Sequence, residues 1–362
     1  MAGNTLVKTG RLLYNTDIIE RWMEKQMKYK IADIAKMANV SPATVSRVLN
    51  GQQGVNPTTR EEVKAIIDQI GYRPNSIARS LARGHSDIVA LVIDDIRNPY
   101  YATLVYNIQE ALAEHGYMVI ITSHENNIEK NLNFFHLAEQ FEFAGVILTT
   151  ALEDEELAKR IKAMKCPTVL LNRTMTSFAG DYVIQDNYIA GYQMTKHLIE
   201  YGYSEIAVLR GPLTSSSSVQ RYNGYCHAMN SFGLPIEEKW ILSGNLRMER
   251  GYEAGKWYAQ HLDEMPKAIV AGNDMMAIGF MDAFLESGLS VPEDISIGSF
   301  DDIEIARTHM IGLTTMKEPL EEMTKIAAKF LLERLKDPDR PLQRAILEPK
   351  LIVRTSTRRL SE

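Results

Sequence analysis

The chain has 362 residues, 45% of them hydrophobic and 24% charged, enough for two or three folding units with a large core. It has no run of about 18 apolar residues, and its first apolar stretch is short and broken by charge, so neither a membrane span nor a secretory signal is expected. Two distant cysteines, Cys166 and Cys226, predict neither a disulfide framework nor a zinc site, which points to a reducing cytoplasm with no metal or cofactor. The net charge of −6 is unevenly divided. Residues 27–85 hold nine Lys or Arg against four Asp or Glu, a balance of +5, and the first 26 residues add +1, which leaves −12 for residues 86–362. A basic segment ahead of an acidic body suits a polyanion bound at one end and repelled by the other.

Residues 1–26 read as a leader, flexible or upstream of the native start, with a short helix at 17–26 and no assigned function. The segment IADIAKMANVSPATVSRVLN, residues 31–50, reads as two short helices around a turn. Ile31, Ile34, Ala35 and Ala38 give the first an apolar face, and Val45, Val48 and Leu49 give the second its own. Asn39 and Val40 turn the chain, Ser41 is placed as an N-cap, and Pro42 occupies the first helical position, where its missing N–H costs nothing. The second helix leaves Pro42, Ala43, Thr44, Ser46, Arg47 and Asn50 outward, small and polar enough to approach base edges and phosphates. A helical hairpin in an ordinary bundle would show the same bare pattern. PTTREEVKAIIDQI, residues 57–70, predicts a third helix ended by Gly71, and YRPNSIARSLARG, residues 72–84, carries three arginines, no acid, and too few residues to be helical alone.

ATVSRVLNG followed by GYRPNSIARSLARG resembles the DNA-binding headpiece and hinge of the LacI/GalR (lactose/galactose repressor) family, and a weaker likeness runs over residues 28–358. The resemblance implies a homodimeric, effector-controlled transcription regulator with an all-α helix-turn-helix headpiece at 27–73, a hinge helix at 74–85, and a two-lobed, periplasmic-binding-protein-like α/β sensor at 86–362. In the major groove Pro42, Ala43 and Arg47 would face bases, Arg47 alone being able to make a bidentate contact to guanine. Thr44, Ser46, Asn50 and the backbone near Thr58 would hold phosphates. The hinge would place Asn75, Ala78, Arg79 and Leu81 in the minor groove, with Leu81 wedged into the centre of a palindromic operator.

From residue 87 onward short β runs alternate with helices, the signature of a parallel α/β unit. Strands are expected at 88–93, 117–122, 144–149 and 167–171, with helices near 100–114, 129–141 and 153–164. A second series has strands at 205–209, 241–244, 268–271 and 295–300, with helices near 187–201, 219–232, 248–262 and 274–287. The family resemblance implies two doubly wound lobes with three crossings, near Asp186, Thr315 and Pro341. A helix at 318–336 would return to the first lobe, and the closing strands at 344–354 would join the second.

Ligands of such sheets bind beyond the carboxyl ends of the strands. Asn98, Tyr100, Tyr101, Glu153, Asn172 and Arg173 follow strands of the first series, and Arg221, Asn273, Asp274, Asp301 and Asp302 lie at equivalent places in the second. Carboxylates, amides and guanidinium groups bond adjacent hydroxyls in pairs, as a sugar or sugar derivative requires. Asp274 and Asp302 also suit helix capping, and Ser215 to Ser218 suit a flexible rim loop. By resemblance Arg221, Asn273 and Asp301 stand at effector-contact positions, with Tyr100, Tyr101, Glu153, Arg173 and Leu246 as further candidates. Val219 stands where the lactose repressor carries a second arginine, and Leu246 where an aromatic is frequent. Some relatives instead take a phosphorylated carrier protein as corepressor. A sugar-binding transport protein would need an export signal and leaves residues 28–84 unexplained. No phosphate-binding glycine loop, HExxH or Ser/His/Asp set suggests an enzyme.

Overall fold

The structure, a computed structural model, describes residues 29–49, 51–72 and 86–360, apart from the side chains of residues 137, 139 and 140. The expected leader and hinge lie outside the described residues, and with them Asn50, Asn75, Ala78, Arg79 and Leu81. The chain divides into two units, residues 1–84 and 85–362.

The first unit contains α1 (Ile31–Met37), α2 (Pro42–Leu49) and α3 (Pro57–Ile70). Their apolar faces meet in a core of Ile34, Ala35, Val45, Val48 and Val63, closed by Ile31, Ile66, Ile67 and Tyr72. The turn between α1 and α2 bends because Asn39 adopts φ 50°, a left-handed conformation that asparagine tolerates. The Ser41 hydroxyl accepts the Thr44 amide at 3.1 Å and satisfies one orphan donor of α2. Asn56 caps α3 in the same way through the Thr58 amide at 3.0 Å, and Gly71 ends it at φ 65°.

In the second unit, β1 (Ile88–Ile93), α4 (Pro99–Ala113), β2 (Met118–Ser123), α5 (Ile128–Phe141), β3 (Gly145–Leu148), α6 (Glu155–Ala163), β4 (Thr168–Leu171) and β5 (Asp181–Gln185) build the first lobe. The second lobe follows with α7 (Asn187–Glu200), β6 (Ala207–Arg210), α8 (Ser216–Ser231), β7 (Ile241–Ser243), α9 (Met248–Gln260), β8 (Ala268–Ala271), α10 (Asp274–Glu286), β9 (Ser296–Asp301) and β10 (Thr314–Lys317). The long helix α11 (Leu320–Lys336) returns to the first sheet, β11 (Arg344–Leu347) extends that sheet, and β12 (Lys350–Ile352) ends in the second. The two six-stranded sheets run β11-β5-β4-β3-β1-β2 and β12-β10-β9-β8-β6-β7. Every pairing is parallel except β10 with β12.

Parallel sheets need cover on both faces, and the period of two supplies it. Val89, Leu91 and Ile93 of β1 join the core containing Leu104 of α4 and Leu331 of α11, while Ala90 and Val92 join Phe134, Phe135 and Leu157 on the opposite face. In the second lobe two helix pairs cross so closely that only glycine fits. A Cβ on Gly191 of α7 would lie 2.1 Å from the Arg221 carbonyl oxygen of α8, and one on Gly251 of α9 would lie 2.1 Å from the Met276 oxygen of α10.

Three expectations need correction. The strand at 344–347 pairs with β5 in the first sheet, so the last crossing lies between Leu347 and Lys350 rather than near Pro341. Arg334 of α11 helps to keep the segment after it in the first lobe, because its guanidinium grips Asp181 of β5 at 3.0 and 3.1 Å and also bonds the Pro338 and Pro341 carbonyls. The second crossing follows Lys317, since β10 still pairs with β9. Residues 216–218 form the first turn of α8 instead of a loop, with Ser215 fully buried behind them.

Candidate functional site

On α2, Pro42, Ala43 and Arg47 are exposed, while Thr44 and Ser46 are half-buried. The only strongly polar long side chain on the exposed face is Arg47, at the C-terminal end of the helix, and α2 carries no acid. The Thr44 hydroxyl lies 2.9 Å from that of Ser41, so part of its bonding capacity is used in capping. Thr58 is exposed, and its amide is taken up by the Asn56 side chain.

In the second unit the strand ends of both lobes face a cavity of about 160 Å³. Tyr100, Tyr101, Arg173, Arg221, Leu246, Asn273 and Asp301 all line it. Glu153 does not. Its carboxylate accepts the Thr176 amide at 2.9 Å outside the cavity, because the chain turns away after β3 toward α6. Asp94, Asp95, Arg97, Asn245, Arg247 and Glu249 line the site as well. The rule that places ligands at strand ends marks Asp94 and Asp95 directly after β1, whereas nothing local singles out Arg247.

The deepest groups form two ion pairs, one within each lobe. Arg173 Nη2 donates to Asp94 Oδ2 at 3.2 Å, with both side chains under a tenth exposed. Arg221 Nη1 donates to Asp301 Oδ1 at 3.3 Å and to the Gly272 carbonyl at 2.8 Å, while its Nε donates to Asn187 Oδ1 at 2.8 Å. The guanidinium also lies over the Phe300 ring, 4.7 Å from its centroid. Three bonds and a ring fix Arg221 before any ligand arrives, and close packing of Gly191 on its backbone fixes the helix beneath it.

Asn273 caps α10 through the Met276 amide at 3.0 Å and donates to the Leu246 carbonyl at 3.1 Å. The capping role expected of its neighbour is thus already filled. Asp274 instead reaches across to β9 and β10, accepting from Ser299, from Thr315 at 2.8 Å and from the Ile303 amide at 2.9 Å. Asp302 accepts from Arg354 at 2.7 Å and caps no helix. Burial pushes Asp274 upward and the negative charge of Asp301 adds to it; burial likewise raises Asp301, against the pull of Arg221. Glu318, in the crossing that follows β10, is 3% exposed and accepts the Tyr100 hydroxyl at 3.1 Å, with its other oxygen unpartnered. Burial, then the charge of Asp301, pushes it up to about 8.

Asn172, Leu246 and Asp301 all take positive φ, at 72°, 66° and 109°, where side chains are strained. Three such residues around one cavity mark a site whose geometry the fold over-determines. Among the described residues no group of three His, Cys, Asp or Glu is placed to hold a metal, and no helix is long and apolar enough to cross a membrane. Cys166 and Cys226 are free, half-buried and in different lobes, and burial raises both thiols.

Residues 30–75 match the family model of bacterial regulatory proteins, lacI family, and residues 86–336 match that of periplasmic binding proteins and sugar binding domain of LacI family. The chain belongs to the LacI family. It is 32% identical over 332 residues to the HTH-type transcriptional repressor PurR of Pasteurella multocida (strain Pm70), covering 91% of this chain and 98% of the relative. It is 31% identical to the HTH-type transcriptional regulator DegA of Bacillus subtilis (strain 168), with 91% and 98% covered. The structure is similar to that of the lac repressor dimer bound to operator and the anti-inducer ONPF, with TM-score 0.80, 26% identity, and 91% and 99% of the chains covered. It also resembles the transcriptional regulator CelR–cellobiose complex, with TM-score 0.69, 28% identity, and 91% and 100% covered. This LacI-family chain is accordingly a DNA-binding transcriptional repressor by family and not an enzyme, built as a helix-turn-helix unit followed by a two-sheet parallel α/β unit.

Proposed function

We propose that the protein represses transcription as a cytoplasmic homodimer on a palindromic operator and is controlled by a neutral, hydroxyl-rich ring of monosaccharide size held in the cavity between its lobes. The observation that carries this reading is the set of unpartnered buried atoms at the cavity: Asp94 Oδ1, Asn172 Oδ1 and Arg173 Nε. Unbonded buried polar atoms are costly, and a ligand offering both donors and acceptors satisfies them. The cavity of about 160 Å³ has room for a small polar ring. Arg97, Arg173, Arg221 and Arg247 are each already paired, Asp95 serving both Arg97 and Arg247. No surplus cation recommends a sugar phosphate.

A purine base is the second reading, favoured by the PurR relatives and by Tyr100 and Tyr101 on one wall. Against it, Leu246 offers no second ring to complete a stack. In the DNA-bound dimer, Arg47 reads a guanine, Pro42 and Ala43 contact apolar base edges, Thr44, Ser46, Asn50 and Thr58 hold phosphates, and Asn75, Ala78, Arg79 and Leu81 act in the minor groove. Ligand bound to both lobes shifts their relative populations, and that free energy is what couples the cavity to DNA affinity.

A thermal-shift screen of neutral monosaccharides, sugar phosphates and purine bases tests the effector. A ligand at a hundred times its Kd stabilises by about 2.7 kcal/mol, which for a unit of this size is a rise of roughly 4–5 °C. Stabilisation by purines alone would overturn the sugar reading. DNA selected from a random pool should be palindromic, and asymmetric selected sites would overturn the dimer.

A further inference from the structure

The two deep ion pairs of the cavity each lie within one lobe, but Arg247 does not. It belongs to the second lobe, just before α9, and all its ionic partners belong to the first. Its Nη1 donates to Asp95 Oδ2, and its Nη2 points to the Glu125 carbonyl at 3.4 Å and lies 3.9 Å from the Glu125 carboxylate. Among the described residues these are the only ion pairs that cross from one lobe to the other. The remaining bonds between the rims are neutral, from the Glu153 amide to the Thr214 carbonyl and from the Thr174 amide to the Ser216 hydroxyl, both at 3.1 Å.

Both sides of this contact are built in advance. Leu246, at φ 66°, turns the chain ahead of Arg247, whose amide bonds the Asn245 side chain at 3.0 Å. Opposite, Arg97 grips Asp95 through two bonds of 2.7 and 2.8 Å and, with Arg247 behind it, holds that carboxyl below the ordinary range. Glu125 and Asn126 take φ 56° and 53°, and the Glu125 amide is tied to the Asp94 carbonyl at 2.6 Å. Asn126 accepts from Arg173, so the rim and the floor of the cavity share one network.

We infer that Arg247, with Asp95 and Glu125, is an ionic latch that ties the two rims together across the mouth of the cavity. The latch side chains are partly exposed, at 23% for Arg247, 15% for Asp95 and 44% for Glu125, so salt screens them far more than it screens the buried pairs below. A ligand enters when the latch opens and is enclosed when it shuts, and closure is tuned by ionic strength as well as by effector.

Hydrogen exchange on the full chain, free of DNA and ligand, reads the latch directly. Arg247→Glu should speed exchange of the amides in segments 94–98, 124–127 and 245–248 by roughly fivefold. Arg247→Lys, which keeps the charge and leaves Asp95 and Arg97 paired, should exchange at close to the original rate. In the unaltered protein, raising salt from about 0.05 to 0.5 M should speed the same segments and leave the strands unchanged. Unchanged exchange in Arg247→Glu, no salt effect, or exchange in folded Arg247→Lys as fast as in Arg247→Glu overturns the latch. Because no effector or operator enters the experiment, its outcome is separate from that of the effector reading.

Discussion

Glu318→Gln isolates the buried acid at the lobe crossing. Glu318 is buried in the folded protein, where burial and Asp301 push it up to about 8 from the ordinary 4.5. The groups that face it are the Tyr100 hydroxyl from α4, Asp301 from β9 and, farther off, Arg221 from α8. A carboxyl raised on folding holds its proton in the folded state where the unfolded chain has lost it. Stability is therefore full below about pH 4.5 and falls as pH rises, until the folded group also ionises near pH 8. Each unit is worth about 1.4 kcal/mol, so between pH 4.5 and 7 Glu318 removes on the order of 3 kcal/mol. Glutamine keeps an acceptor for Tyr100 and places an N–H where the second oxygen has no partner, so it imitates the protonated acid. The variant should match the unaltered protein near pH 4.5 and melt roughly 5 °C higher at pH 7 to 8, as followed by calorimetry of the sensor transition. Asp274 and Asp301 titrate in both proteins, so it is the difference between the two curves that reports Glu318. Parallel curves across pH 4.5–8 would refute a proton held at this site.

Arg47→Ala should remove discrimination at one base position, costing about 1–3 kcal/mol on the preferred site, while weakening random DNA only slightly; a binding titration against both DNAs decides it, and an equal loss on each would make Arg47 a phosphate contact. Ile34→Ala removes a fully buried side chain from the headpiece core and should cost about 2–5 kcal/mol there, abolishing DNA retention while the melting of the sensor stays unchanged. Gly251→Ala puts a methyl 2.1 Å from the Met276 carbonyl oxygen, which cannot swing aside. It should destabilise the second lobe by about 1–3 kcal/mol in denaturant unfolding, and a neutral result would mean that α9 and α10 separate freely.

The headpiece was legible almost residue by residue, since a cap, a proline, a left-handed asparagine and a terminal glycine act within a few positions of themselves. The helix ends drawn from Ser41, Pro42 and Gly71 are those the structure shows. Strands rich in Ile, Val and Leu were equally plain, but DYVIQ of β5 and TTMK of β10 were not, because short mixed segments become strands only when neighbouring edges pair with them. Missing β10 hid Glu318, which closes the crossing after it. Glu153 looked like a site residue by the same rule that found Arg173, yet the turn after β3 carries it outside.

The sequence by itself determined the division into a basic reader and an acidic body, the two α/β series, and seven of the residues that line the cavity, because helix caps, apolar period and strand ends are short-range physics. Only the tertiary structure decided that β11 belongs to the first sheet, that Asp274 bonds across to two strands, and that Arg247 meets Asp95, 152 positions away in the chain. Those depend on contacts between positions far apart in the chain, and the free energy of an ion pair or a buried acid is set by whatever the fold brings within a few ångströms of it.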